Sequence, residues 1–195
     1  MVIERAKNTE QGKGLVFVLE DLASASPRAL RPKSGEEAIR DYCWSALVLS
    51  AAFSFRVVPG QTYFLYLHAG LWKLSLISPR EWGQKQPGDF VAHCALREDM
   101  TWSIEFDAAL EDATVVQDAL HRYLEGIRSQ LASAGSWREL LRHGERHLPY
   151  QQRVLATALA TSLRHSLLLS GHAGAPPAVA VHHLERGNAG DRAVL

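Results

Sequence analysis

The stretch from Gly60 to Trp82, GQTYFLYLHAGLWKLSLISPREW, constrains the fold more than any other part of the chain. Thr62, Phe64 and Tyr66 alternate with Tyr63, Leu65 and Leu67, the period of a β-strand. Apolar and aromatic residues on both faces predict a strand covered on both sides. His68-Ala69-Gly70 suits a tight turn, with Gly70 free to take positive φ. Leu71 to Ile77 returns as a second strand, with Trp72, Leu74 and Leu76 on one face and Lys73, Ser75 and Ile77 on the other. Ser78-Pro79-Arg80-Glu81 then satisfies three rules of helix initiation. Ser78 is the N-cap, Pro79 sits where no N–H is needed, and Glu81 is the reciprocal partner of a capping box. Trp82 is placed to fold back onto the sheet, and Gly83 with Pro87-Gly88 limits this helix to about a turn.

Two more strands are expected downstream. Phe90, Ala92, Cys94 and Leu96 alternate on one side, Arg97 to Met100 reads as a hairpin turn, and Trp102, Ile104 and Phe106 line one face of a fourth strand. Short turns between successive strands predict an antiparallel meander. A helix precedes the sheet, since Ser34 with Glu37 forms a capping box ahead of Ile39, Tyr42, Cys43, Ala46, Leu47, Ser50 and Phe53 at helical spacing. From Tyr42 onward this helix is apolar nearly all round, the mark of burial on several sides or at an interface. Thr114 with Gln117 is expected to cap a helix striped by Val116, Leu120, Tyr123, Ile127 and Leu131. Ser136 with Glu139 caps a shorter one that Pro149 ends, and Leu155, Leu159, Leu163 and Leu167 mark a last helix over Tyr150–Leu169.

The expected fold class is therefore α+β: a four-stranded antiparallel meander sheet packed by an N-terminal helix and C-terminal helices. The chain divides into an N-terminal arm and linker (1–33), one domain (34–170) and a Gly-, Ala- and Pro-rich tail (171–195) read as disordered. Within the arm, Leu15 to Leu22 is an apolar run expected to dock on the core, and Gly12-Lys13-Gly14 lacks the spacing of a phosphate loop.

Residues from about Arg56 to Phe106 resemble the core of the domain of unknown function 2452 family, which includes bacterial and vertebrate proteins. The pattern is carried by Gly60, Tyr63, Leu65, Tyr66, Ser75, Ile77, Ser78, Pro79, Glu81, Trp82, Asp89, Phe90 and Trp102, with Thr101 before that last Trp. The Arg- and Ala-rich composition and the helices after Asp107 suggest a bacterial protein. The resemblance implies a shared fold. It transfers no catalytic residue, because none is established for the family.

Several residues invite chemistry. Glu81 and Asp89 are the candidate catalytic carboxylates, although a cap and a turn account for them structurally. His143 and His147 flank Glu145 at a spacing that puts two imidazoles on one helix face, as metal ligands need, with His121 or His165 as a third; the order is not that of zinc proteases. Arg138, Arg142 and Arg146 recur every four residues as a candidate anion-binding stripe, flanked by Arg128, Arg153 and Arg164. Tyr63, Tyr66, Ser78, Pro79, Glu81 and Trp82 form a structural motif. Cys43 and Cys94 sit in apolar runs and read as buried free thiols in a reducing compartment.

The 21 basic and 21 acidic side chains leave no global field to draw nucleic acid, which makes it an unlikely partner. No stretch has the length of a membrane span and no leader precedes the first helix, so a cytoplasmic location is expected. No cofactor is implied. The expected role is a non-enzymatic protein-binding or adaptor module, with an unknown protein partner or a homodimer through the apolar helices. The alternatives are an enzyme using Glu81 or Asp89 with a histidine, with or without metal, and polyanion or RNA binding through the Arg stripe.

Overall fold

The computed structural model describes residues 25–137, 139–140, 148–174 and 176–178. Arg138, Arg142, Arg146, His143 and His147 lie outside the described residues, as do the Leu15–Leu22 run and the tail beyond 178. Helix α1 is Gly35–Ser50, and strands β1 and β2 are Thr62–His68 and Leu71–Ser75. A single-turn helix α2 (Pro79–Trp82) and a 3-10 turn (Gly83–Lys85) lead to β3 (Asp89–Leu96) and β4 (Trp102–Phe106). A second 3-10 turn precedes helices α3 (Thr114–Ser133) and α4 (Tyr150–Leu169).

Local signals set most boundaries. Ser34 Oγ accepts from Glu37 N–H at 3.1 Å while the Glu37 carboxylate accepts from Ser34 N–H at 3.0 Å. Such a cap stabilises a helix by about 1 kcal/mol. The β1–β2 turn places Ala69 at φ 48° and Gly70 at φ 78°, the paired positive angles of a type I′ hairpin, whose twist matches that of the strands. The expected cap on α3 differs: Thr114 is the first helical residue, Ala113 is the N-cap, and Gln117 Nε2 donates to Leu110 O at 2.8 Å. At Glu139 the box is re-aimed, since its N–H bonds Ser136 Oγ while its carboxylate accepts from Gly135 N–H.

The four strands form one antiparallel sheet, as expected, but in the order β2-β1-β3-β4 rather than that of a meander. The outer edge of β2, which a meander would give to β3, is bridged by Ala52 instead. Ala52, just past α1, donates to Trp72 O at 2.8 Å and accepts from Leu74 N–H at 3.1 Å. Strands β2 and β3 therefore flank β1 and run in the same direction, and residues 76–88 must carry the chain back along β1.

One face of the sheet is the core. Tyr63, Leu65 and Leu67, with Leu74, Ala92, Cys94, Leu96 and Trp102, are buried there. Helix α1 lies on this face: Ser45 Oγ accepts from Trp102 N–H at 2.9 Å, and Trp44 meets Phe106 edge-on at 5.2 Å. Helix α4 covers another side of α1, where Gln152 Nε2 donates to Ala51 O at 2.7 Å. Helix α3 covers a third, with the Tyr123 hydroxyl donating to Cys43 O at 2.6 Å. The all-round apolar pattern of α1 thus reflects a central helix. Its surface and that of α4 are spent substantially on each other within one chain.

Candidate functional site

The other face of the sheet carries no described long helix. Alternation places Phe64, Tyr66 and His68 of β1 on it, with Leu71, Lys73 and Ser75 of β2, and His93 and Ala95 of β3. Phe90 also lies here, and this corrects the expectation that it shares a face with Ala92 and Cys94. Leu65 pairs with Ala92 but Tyr66 pairs with Phe90, so Val91 is the extra residue of a β-bulge that turns Phe90 to the other side. The result is an aromatic group. Phe90 and His93 meet edge-on at 5.0 Å and Phe64 and His93 edge-on at 5.4 Å, while Tyr66 and Phe90 lie tilted at 5.6 Å. Phe64 and Phe90 are half-buried and His93 is exposed.

The returning segment crosses this face over one end of β1. The Tyr66 hydroxyl donates to Ile77 O at 2.9 Å, and Ser75 Oγ accepts from Ile77 N–H at 3.0 Å. Tyr66 is fully buried beneath it, and its hydroxyl is pushed up to about 12, first by burial and then by the nearby charge of Glu81. The crossing ends at Gly88, where a Cβ would lie 2.3 Å from Leu67 O, so only glycine lets the two backbones approach this closely. Leu76 and Ile77 remain exposed on this segment, at 44% and 40%.

Glu81 sits where the sequence places it, at the third position of α2. Its Oε2 accepts from Ser78 N–H at 2.9 Å and from the Ser78 hydroxyl at 2.7 Å, while Glu81 N–H donates to Ser78 Oγ at 3.3 Å. The Ser78 hydroxyl and then its N–H hold the Glu81 carboxyl below the usual range, so it is ionised at neutral pH. Asp89 is exposed at the start of β3, and among the described residues no hydrogen bond or ion pair joins it to Glu81 or to a histidine. Both cysteines are free and buried, with thiols pushed up to about 12 by desolvation. Among the described residues no three His, Cys, Asp or Glu side chains come together as metal ligands would. The described part of the basic region shows Arg128 paired with Glu125, one turn back on α3.

The signature residues are thus divided between two surfaces. Tyr63 and Trp102 meet in the core at 5.7 Å, while Tyr66, Ser78, Pro79, Glu81, Trp82 and Phe90 build the corner over the open face. The family model described as a protein of unknown function, DUF2452, spans this corner, the whole sheet and α1. Residues 32–122 match DUF2452. The matched region extends beyond the hairpin core on both sides, from the residue before Lys33 to the first half of α3. No solved structure matches the chain.

The DUF2452 region also contains a charged constellation that sequence reasoning missed. Lys33 is buried, and its ammonium donates to Asp41 Oδ2 and Asp99 Oδ2, both at 2.7 Å. Arg97 Nη1 donates to Asp41 Oδ1 at 3.0 Å, and the Thr101 hydroxyl to Asp99 Oδ1 at 2.6 Å. Burial acts to raise the Asp99 carboxyl, but hydrogen bonds from Lys33 and Thr101 outweigh it and hold the group below its usual value. Two cations face two carboxylates, so the cluster is charge-balanced. It clasps the linker to α1 and to the β3–β4 turn. A lysine after Pro32 in a polar linker gives no sign of this, because its partners lie 8 and 66 residues away.

The described helices include none long and apolar enough to cross a membrane.

Proposed function

We propose that the protein is a non-enzymatic protein-binding module and that the open face of its sheet is the docking surface. The observation that carries this reading is the Phe64–Phe90–His93 group. An open antiparallel face ordinarily presents polar side chains to water, yet aromatic rings stand half-exposed at its centre. Lys73 and Glu105 are exposed on the same face and supply a polar rim, and Leu76 and Ile77 extend the apolar surface along the crossing segment. Buried aromatic anchors inside a polar rim are what a protein interface uses. The partner is a protein chain that lays apolar side chains against these rings.

The carboxylates support this reading over catalysis. Glu81 is engaged by Ser78 and ionised, and Asp89 has no partner histidine among the described residues. A general acid needs a proton to give and a partner that tunes it.

The test is a photoreactive side chain placed at His93 in the native cell. A discrete crosslinked protein is expected, and its purified form should bind the Phe90→Ala variant about tenfold more weakly than the wild type. An adduct of twice the chain's own mass identifies a homodimer. If no adduct forms, or if Phe90→Ala binds as the wild type does, the reading fails.

A further inference from the structure

A cavity of about 220 Å³ opens between α1, α3 and α4, on the helical side of the molecule. Each helix gives it one face. Tyr42, Ala46 and Leu49 of α1 follow one another at helical steps, as do Tyr123 and Ile127 of α3 and Ala156 and Leu159 of α4. Ala46 and Ala156 are the short side chains of opposite walls, and a longer one at either position would fill the space. Clefts between packed helices are common ligand sites.

Tyr42 distinguishes this cavity from a gap in packing. It is only 8% exposed, and among the described residues its hydroxyl has no hydrogen-bond partner. Nor is the hydroxyl sealed in, as the unpartnered Ser162 and Ser166 hydroxyls are, so it faces the space that Tyr42 lines. A buried hydroxyl without a partner is a loss of stability that a bound acceptor removes. Burial pushes this hydroxyl up to about 12, so it keeps its proton at neutral pH and has it to donate. Across the cavity the Tyr123 hydroxyl already donates to Cys43 O at 2.6 Å. Ser50 and Gln130, the other polar lining residues, are exposed. No described lining residue is charged, so an ion that entered would lose its hydration without compensation. The volume exceeds the about 150 Å³ of a cavity that holds benzene and falls short of the roughly 300 Å³ at which drug-sized sites begin.

We propose that this cavity binds a small neutral molecule, an apolar body the size of a substituted benzene ring with one oxygen that accepts a hydrogen bond from the Tyr42 hydroxyl. The site is separate from the open face of the sheet, and neither reading rests on the other.

Three molecules of nearly equal size and shape test it by titration calorimetry on the full-length chain. Acetophenone is neutral with a carbonyl acceptor, α-methylstyrene replaces that oxygen by a methylene, and benzoate is charged. Acetophenone should bind saturably, and benzoate about tenfold more weakly or not at all. Tyr42→Phe removes one oxygen that has no described partner, so the fold survives. It should weaken acetophenone about fivefold and leave α-methylstyrene unchanged. Ala46→Leu fills the cavity and should abolish the binding of both neutral molecules; Ala156→Leu fills it from α4 and decides the question if Ala46→Leu does not fold. The proposal is overturned if acetophenone shows no saturable binding or if benzoate binds as well. It is also overturned if Tyr42→Phe weakens both neutral molecules equally, or if acetophenone still binds the filled variant, which places it elsewhere.

Discussion

Replacing Lys33 by methionine is the sharpest test of how this fold is held together. The Lys33 side chain is 1% exposed; methionine keeps most of its aliphatic stem and removes only the ammonium, which lies 2.7 Å from each of two carboxylates. What remains is Asp41 held by the half-exposed Arg97, and Asp99 held by Thr101, with two negative groups facing a site built for a cation. Breaking a buried pair by removing one partner costs about 3–5 kcal/mol, because the other charge stays buried without compensation. For a chain of this size that is a fall in Tm of about 6–20 °C. Urea unfolding followed by tryptophan fluorescence reads it as a lower midpoint at an unchanged slope. The pH dependence gives a second reading. The folded Asp99 carboxyl is depressed, so its contribution is fully present above the unfolded value, about 3.9, and is lost as pH falls through the folded value. In Lys33→Met the contributions of the ammonium are lost and only the Thr101 hydrogen bonds oppose burial, so the Asp99 carboxyl rises relative to the wild type and the gap between the two proteins should narrow as pH falls from 7 towards 4. Asp99→Asn in the Lys33→Met background should recover part of the loss. A gap below about 1 kcal/mol at pH 7, or one that does not narrow on acidification, would refute the account of the cluster as a charge-balanced clasp.

Three other outcomes follow from the geometry. Gly88→Ala brings a Cβ to 2.3 Å from Leu67 O, so the crossing segment must shift; chemical denaturation should show a loss of about 2–4 kcal/mol, and near-wild-type stability would mean that the approach is looser. Ala69 holds φ 48° in the hairpin turn, where asparagine is tolerated better, so Ala69→Asn should raise stability by about 0.5–1 kcal/mol in a thermal melt. Cys43 and Cys94, with thiols pushed up to about 12, should both stay unreactive to a disulfide reagent at pH 8 and react fully only after denaturant is added; fast labelling of either in the native protein contradicts their burial.

The candidate site was only partly legible in advance. Ser78, Pro79 and Glu81 can be read directly, because each acts within three residues of the others. Phe90 cannot, since strand alternation assigns it to the core and a single bulged residue, Val91, reverses that assignment. The open aromatic surface exists only because of this reversal, which brings Phe90 beside Phe64 and His93. Lys33 is illegible for a related reason: long-range ion pairs leave no period in the sequence.

What the sequence determined by itself is the local order of the molecule: the caps at Ser34 and Ser78, the tight turn that ends on Gly70, the extent of α4 and the alternation of β1. Each rests on interactions between residues a few positions apart, where backbone geometry and hydrogen-bond reach leave little choice. Only the tertiary structure decided the strand order, the facing of Phe90 and the burial of Lys33. Each of these depends on which remote segment supplies the partner of a strand edge or of a buried charge. Ala52 takes the edge of β2, β3 pairs with β1, and the chain between them must cross the open face of the sheet. The corner from Ser75 to Gly88 is the consequence of that arrangement.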